Sequence, residues 1–98
     1  MAKMTRDEIL YEAEHCINHD RAATHGDAED SFQAVADVWS WWLSNRQLPE
    51  APLSSEDVAM MLALFKVARI SGNPKHDDSY VDAIGYLALC GEISLQDQ

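Results

Sequence analysis

The chain has 98 residues and a mass of 11.0 kDa, which is enough for one small domain but not for two separate hydrophobic cores. Hydrophobic residues make up 47% of it, and three prolines and four glycines are few, so we expect a folded, mainly helical protein. Its formal charge of −10 repels nucleic-acid backbones and anionic membranes, which argues against both as partners. A phosphorylated small molecule fits this charge when Mg²⁺ mediates the contact.

The start of the chain, MAKMTRDEIL, is charged at positions 6–8 and has no apolar signal segment, so we expect a cytoplasmic protein. The longest apolar stretch covers residues 58–65, far fewer than the roughly 20 residues that span a bilayer. Two cysteines, Cys16 and Cys90, have no CxxC spacing. We expect both to be buried, reduced thiols.

Four segments with helical periodicity predict an all-α antiparallel bundle of about four helices. We expect a single domain, 1–98, with a core from about residue 5 to 91 and a frayed tail over 92–98. A Thr5–Glu8 capping box should begin the first helix, which extends to about residue 22. The apolar stripe expected to bury this helix consists of Ile9, Leu10, Ala13, Cys16 and Ile17.

The second helix should follow the turn at residues 24–26, with Asp27 as its N-cap. Its predicted core stripe is Phe32, Val35, Ala36, Trp39 and Leu43. Prolines at positions 49 and 52 indicate a loop over residues 45–53.

Ser54 should cap the third helix, which is apolar on nearly every side and is therefore expected in the middle of a bundle or between subunits. The sequence SGNP at residues 71–74 should end it, and Asp77 or Asp78 should begin a fourth helix with Gly91 as its C-cap. The residues of the fourth helix that we expect to face inward are Tyr80, Val81, Ile84, Leu87 and Ala88.

Three tryptophans, Trp39, Trp41 and Trp42, place aromatic area on two sides of the second helix. Either a subunit partner covers the second side or one indole serves as a base-stacking platform. Together with the apolar third helix, they favour a homodimer or larger homo-oligomer formed through the second and third helices.

Two cations, Lys66 and Arg69, lie three residues apart on this otherwise apolar third helix. Removing them from water costs free energy, so we expect acidic groups beside them. The fourth helix offers Asp78, Asp82 and Tyr86 at four-residue spacing, hence on one face. One interpretation is a structural salt-bridge network. The other is a site in which the carboxylates hold Mg²⁺ while the cations neutralise phosphate oxygens.

Further candidates lie before and within the second helix. His25 precedes a helix N-terminus, which suits an anion, or it is a plain turn residue. Glu29 and Asp30, with Asp37 two turns on, could supply metal ligands or form a solvated face. His15 and His19 have i, i+4 spacing but no identifiable third ligand, so an exposed polar face is favoured over zinc.

The run KVARISGNPKHDDSYVDAIGY (66–86), together with HGDAEDSFQAVADVWSWWL (25–43), resembles small MazG-like proteins of phages and prophages, many of unknown function. The resemblance covers about residues 24–90. Related all-helical nucleotide pyrophosphohydrolases carry two acidic Mg²⁺ ligands at near-turn spacing on a late helix. The resemblance implies this role for Asp78 and Asp82, and implies that Lys66 matches the basic residue of the preceding helix.

The chain departs from the MazG-like pattern because it has no EExxE cluster; the second helix offers only Glu29, Asp30 and Asp37. The resemblance implies a Mg²⁺-dependent nucleoside triphosphate pyrophosphohydrolase or a nucleotide-binding protein. In this hypothesis Lys66 and Arg69 are catalytic, while His25 and Tyr86 join them in binding the substrate. Glu29, Asp30, Asp78 and Asp82 would hold the metal. The alternative is a non-catalytic, phage-derived helical interaction protein.

Overall fold

A computed structural model describes the backbone over residues 3–20 and 28–96 and the side chains over 3–18 and 30–96. Helix α1 (Arg6–His15) continues into a π-helical turn (Cys16–Asp20), and three 18-residue helices follow: α2 (Ala28–Asn45), α3 (Ser55–Gly72) and α4 (Asp77–Ser94). The described ranges contain no strand. The all-α prediction with four helices is confirmed. None of these helices has the length and apolarity that crossing a membrane requires.

Local capping chemistry explains where α1 and α3 begin and where α3 ends. The hydroxyl of Thr5 accepts the Glu8 backbone N–H at 3.2 Å, as the sequence predicts. Ser54 and Asp57 form a full capping box at the start of α3, each side chain accepting the other's backbone N–H. Helix α3 ends at Gly72, and Asn73 caps it. The predicted stop at residues 71–74 is therefore confirmed.

Helix α3 lies in the centre and packs on α2 on one side and most extensively on α4 on the other. The α3–α4 pair is antiparallel, since the Cys90 thiol near the end of α4 donates to the Glu56 carbonyl at the start of α3, 3.6 Å away. Small residues allow this close packing. The buried ones are Ala59, Ala63 and Ala68 on α3 and Ser79, Ala83 and Cys90 on α4.

Helix α2 runs antiparallel to α3 and is joined to it by two indoles. Trp39 Nε1 donates to the Met61 carbonyl at 2.7 Å, and Trp42 Nε1 donates to Asp57 Oδ1 at 3.0 Å. Val35 is buried, whereas Phe32 and Ala36 of the predicted stripe are exposed. The α2 stripe is thus correct in part, because the indole hydrogen bonds fix which side of α2 meets α3.

The prediction of the inward face of α4 is wrong. Tyr80, Val81, Ile84, Leu87 and Ala88 are all exposed. The opposite side, with its small residues, meets α3 because α4 is apolar on several sides and the small side chains permit the closest approach. Helix α4 also continues through Gly91 to Ser94, where the half-buried Ile93 adds packing.

Helix α1 buries none of its residues, so the stripe expected to be buried there is exposed throughout. Cys16 is exposed as well, contrary to the expectation of a buried thiol, whereas Cys90 is buried as predicted, and both are free thiols. Burial, followed by the charge of Glu56, raises the pKa of the Cys90 thiol. This thiol therefore stays protonated and unreactive at neutral pH.

Candidate functional site

The first candidate group is an ion pair between α3 and α4. Lys66 Nζ lies 2.9 Å from Asp82 Oδ2, and the two side chains are 16% and 44% exposed. Lys66 comes from the central helix, where its alkyl stem is largely covered, and Asp82 reaches it from the edge of α4. The packing of α3 on α4 thus brings together two of the predicted site residues.

Arg69 lies one turn further along α3. Its guanidinium carbon is 4.7 Å from the centre of the Phe65 ring, and Lys66 Nζ is 5.6 Å from the same ring, so both cations lie at cation–π distance from one aromatic side chain. Arg69 also lines a pocket of about 130 Å³ with Asp30 and Ser31 of α2. Arg69 and Asp30, both predicted as site residues, therefore share one pocket between α2 and α3.

The remaining candidates are spread along α4 or lie outside the described part. Asp78 is exposed in the first turn of α4, where its backbone N–H donates to Asp77 Oδ1 at 3.0 Å. Tyr86 is half-buried one turn after Asp82. His25 lies outside the described residues, and of Glu29 only the backbone is described. Across the described side chains, no three His, Cys, Asp or Glu groups lie close enough together to hold a metal ion.

A second polar group, at the other end of the α2–α3 pair, is more deeply buried. Arg46 Nη1 donates to Asp57 Oδ2 at 2.5 Å, and each of these side chains is 9% exposed. Arg46 Nη2 also donates to the carbonyls of Pro49 (3.1 Å) and Ala51. One guanidinium thus ties the loop after α2 to the first turn of α3.

Asp57 is the acceptor at the centre of this group. Its carboxylate accepts from Trp42 Nε1, from Arg46, and from both the backbone N–H and the hydroxyl of Ser54. The Ser54 N–H has the largest effect, and with the Trp42 and Ser54 side-chain hydrogen bonds and the Arg46 charge it lowers the pKa of Asp57 despite the opposing effect of burial. Asp57 is therefore ionised at neutral pH.

Comparison with known proteins gives the relationship of this chain. Its residues 8–94 match the family described as "Domain of unknown function (DUF6378)". The chain belongs to this family. It is also similar to the Gene 55 protein of Mycobacterium phage L5, with 37% identity over 87 residues, which is 89% of this chain and 53% of that protein. The Gene 55 protein of Mycobacterium phage D29 is 34% identical over 80 residues, covering 82% of this chain and 49% of that protein.

This DUF6378 chain spans about half the length of the curated phage relatives it matches. No solved structure matches it. The family match includes all the candidate residues discussed above, from His25 on the N-terminal side to Tyr86 on α4. The similarity to phage proteins agrees with the phage part of the resemblance found in the sequence, whereas the MazG-like part stays a prediction. Neither the family description nor the names of these relatives state an activity.

Sequence reasoning on this DUF6378 chain missed the group formed by Trp42, Arg46 and Asp57. The sequence places Asp57 only in the first turn of the helix that Ser54 caps, and Arg46 only in the predicted loop over residues 45–53. The available signal was a single arginine in a proline-containing loop that directly precedes a helix with an acidic first turn. The hydrogen bonds of Arg46 Nη1 and Nη2 all go to acceptors within the chain and fix the α2–α3 connection, whereas its buried Nε has no hydrogen-bond partner among the described residues.

Proposed function

We propose that this chain is a MazG-like nucleotide-binding protein that hydrolyses a nucleoside triphosphate with the help of Mg²⁺. The observation that supports this best is the position of Lys66 and Arg69. Both are cations on a largely covered apolar helix, and carboxylates of the two neighbouring helices lie beside them: Asp82 at 2.9 Å from Lys66, and Asp30 in the pocket that Arg69 lines. Neighbouring carboxylates and cations suit a metal-bound phosphate, because the carboxylates can hold the metal ion and the cations can neutralise phosphate oxygens.

The donor set fits Mg²⁺ in the manner typical of nucleotide sites. Mg²⁺ takes hard oxygen ligands and is usually held by one or two carboxylates plus substrate phosphates and water. Asp78 and Asp82 lie one helical turn apart on α4, and both are at least partly exposed, so they could supply these carboxylates without a third protein ligand. When bound, the ion would draw charge from the phosphate oxygens and activate a water molecule.

The protein's own residues would then exchange partners. Asp82 would leave Lys66, whose ammonium group would then donate a hydrogen bond to a phosphate oxygen, and Arg69 would stabilise charge that develops on the phosphates. The proposed reaction forms a bond from water oxygen to the α-phosphorus and breaks the bond from this phosphorus to pyrophosphate. The pyrophosphate leaves with the electron pair of the broken bond, one proton of the attacking water passes to solvent, the other ends on the pyrophosphate, and a nucleoside monophosphate remains.

A panel of canonical and modified deoxynucleoside triphosphates with Mg²⁺ or Mn²⁺, read by pyrophosphate release, tests the proposal. We expect release from at least one nucleotide, and its loss in Lys66→Met and Asp78→Asn. Lys75→Met and Glu50→Gln remove charges of the same sign from exposed positions outside the proposed site and should keep the activity. Inactivity across the panel, together with no thermal shift caused by any nucleotide, would refute nucleotide binding.

The alternative is a helical interaction protein whose charged residues only hold its own helices together. The direct contact of Lys66 with Asp82 favours this alternative, because each charge already has its partner within the chain. Under this alternative, Lys66→Met should change stability without any change in nucleotide-dependent behaviour. The same panel separates the two functions.

A further inference from the structure

A cavity of about 320 Å³ lies where the end of α2, the loop that follows it and the start of α3 meet. It is at the opposite end of the α2–α3 pair from the pocket that Arg69 lines, so it is separate from the site proposed above. Its volume is at the lower end of the range of small-molecule sites, which is about 300–1,000 Å³. Walls from two helices and a loop suit a compact ligand better than an extended peptide.

Trp42 gives this cavity an aromatic wall that is fixed in place. Its indole N–H donates to Asp57 Oδ1 at 3.0 Å, and Asp57 is held in turn by Arg46 and by the backbone N–H of Ser54. The ring therefore keeps its position before a ligand arrives, which reduces the conformational entropy that binding costs. The apolar residues of the loop that line the same cavity are Leu48, Ala51 and Pro52.

Glu56 gives the cavity a net negative charge. The other charged residues of its lining, Arg46 and Asp57, form an ion pair and neutralise each other. Glu56 is half-buried, and its hydrogen bond with the Cys90 thiol uses its backbone carbonyl. Its carboxylate has no hydrogen bond or ion pair with another residue in the described part of the chain. A partly covered carboxylate without a partner gains free energy when a cation binds beside it.

An anion fits the same cavity less well. Nη1 and Nη2 of Arg46 already donate to acceptors within the chain, and its remaining nitrogen, Nε, is buried and therefore out of reach of a ligand in the cavity. The chain as a whole carries a formal charge of −10, so its field attracts cations and repels anions. The local and the overall charge thus favour the same kind of ligand.

We propose that this cavity binds a small organic cation, with an amidinium, guanidinium or ammonium group at Glu56 and an apolar or aromatic body against Trp42 and Leu48. An amidinium or guanidinium can donate two parallel N–H···O bonds to one carboxylate, and such charged hydrogen bonds are stronger than neutral ones. An indole face also attracts a cation within about 6 Å of the ring centre. Binding here is independent of nucleotide hydrolysis, because it uses none of the residues assigned to that reaction.

Three probes of nearly the same shape test the charge of the ligand on the wild-type chain: benzamidine is a cation, benzamide is neutral and benzoate is an anion. Each is titrated to millimolar concentration while the assigned indole N–H signals are followed by NMR. We expect benzamidine to shift the Trp42 signal to saturation, and benzamide and benzoate to bind about tenfold more weakly or less. Trp41 is the internal control: it is 59% exposed and does not line the cavity, so its signal should stay in place.

Two substitutions test the role of the carboxylate. Glu56→Gln should weaken benzamidine binding about tenfold or more, because it removes the charge that the ligand neutralises. Glu50→Gln is the matched control, since it removes the same charge from an exposed loop position that does not line the cavity, and it should bind benzamidine nearly as the wild type does. Circular dichroism checks that both variants fold, and the comparison of probes on the wild type does not depend on either variant.

Several results would overturn the proposal. The first is a Trp42 signal that benzamidine does not shift to saturation, or that moves no more than the Trp41 signal. The second is benzamide or benzoate binding as tightly as benzamidine, which would mean that the cavity does not select a cation. The third is equal weakening by Glu56→Gln and Glu50→Gln, which would mean that the overall charge of the chain, and not Glu56, attracts the ligand.

Discussion

Replacement of Asp82 by Asn removes one charge from the α3–α4 ion pair and keeps the shape of the side chain. Lys66 would lose the carboxylate that lies 2.9 Å from its ammonium group while its own side chain remains only 16% exposed. The cation is then mostly covered and faces an amide instead of a carboxylate. We therefore expect the free energy of unfolding to fall.

The exposure of Asp82 sets the size of this effect. Breaking a fully buried pair costs about 3–5 kcal/mol, whereas exposed pairs contribute about 0.2–1 kcal/mol. Asp82 is 44% exposed, so water screens the pair and can reach Lys66 after the substitution. We expect a loss of about 1–2 kcal/mol. For a domain of this size this corresponds to a fall in the melting temperature of very roughly 5–15 °C.

The assay is thermal unfolding by circular dichroism, without metal and with about 5–10 mM Mg²⁺. Glu50→Gln, which removes an acidic charge from an exposed loop position, controls for the change in net charge. Lys66→Met should cost less than Asp82→Asn, because it leaves behind a half-exposed carboxylate that water can solvate instead of a covered cation. A metal-free melting temperature of Asp82→Asn equal to or above that of the wild type would refute the ion-pair reasoning.

Three further predictions concern buried residues. Asp57→Asn should destabilise the chain by about 3–5 kcal/mol, measured by urea unfolding, because it strands the buried Arg46; a loss below about 1 kcal/mol would contradict this. The pKa of Asp57 is lowered in the folded state, so the stability that its ionised carboxylate contributes is present above about pH 4 and is lost as the pH falls through the folded-state pKa. The wild type should therefore lose more stability on acidification than Asp57→Asn does. Ala83→Leu should cost about 1–3 kcal/mol by crowding the α3–α4 contact, whereas Ala36→Leu on the exposed side of α2 should change stability by less than about 0.5 kcal/mol in the same assay.

Both ends of α3 were predictable from sequence because they depend on neighbouring residues, whereas the end of α4 was not, since the helix continues past the predicted cap Gly91 to Ser94. Ser54 with Asp57 specifies the start of α3, and the stop that Asn73 completes needs only local chemistry. The central position of α3 was also predictable, since a helix that is apolar on nearly all sides has to be covered. The pairing of Lys66 with Asp82 was one of two interpretations of their spacing. Lys66 and Asp82 meet because α3 and α4 pack in one particular register along their axes. The spacing of residues within each helix does not determine that register.

The face of α4 that packs inward could not be derived from its periodicity, because the helix has two apolar sides. The sequence favours the side with the larger residues, including Val81 and Ile84, since larger side chains gain more free energy on burial. Inside a single chain the opposite side, with Ser79 and Ala83, meets α3, because small side chains let two helices approach closely. The larger residues, including Val81 and Ile84, then lie at the surface. The inward face expected from the sequence is therefore wrong because the close approach that Ser79 and Ala83 permit along the α3–α4 contact outweighs the larger area that Val81 and Ile84 would bury.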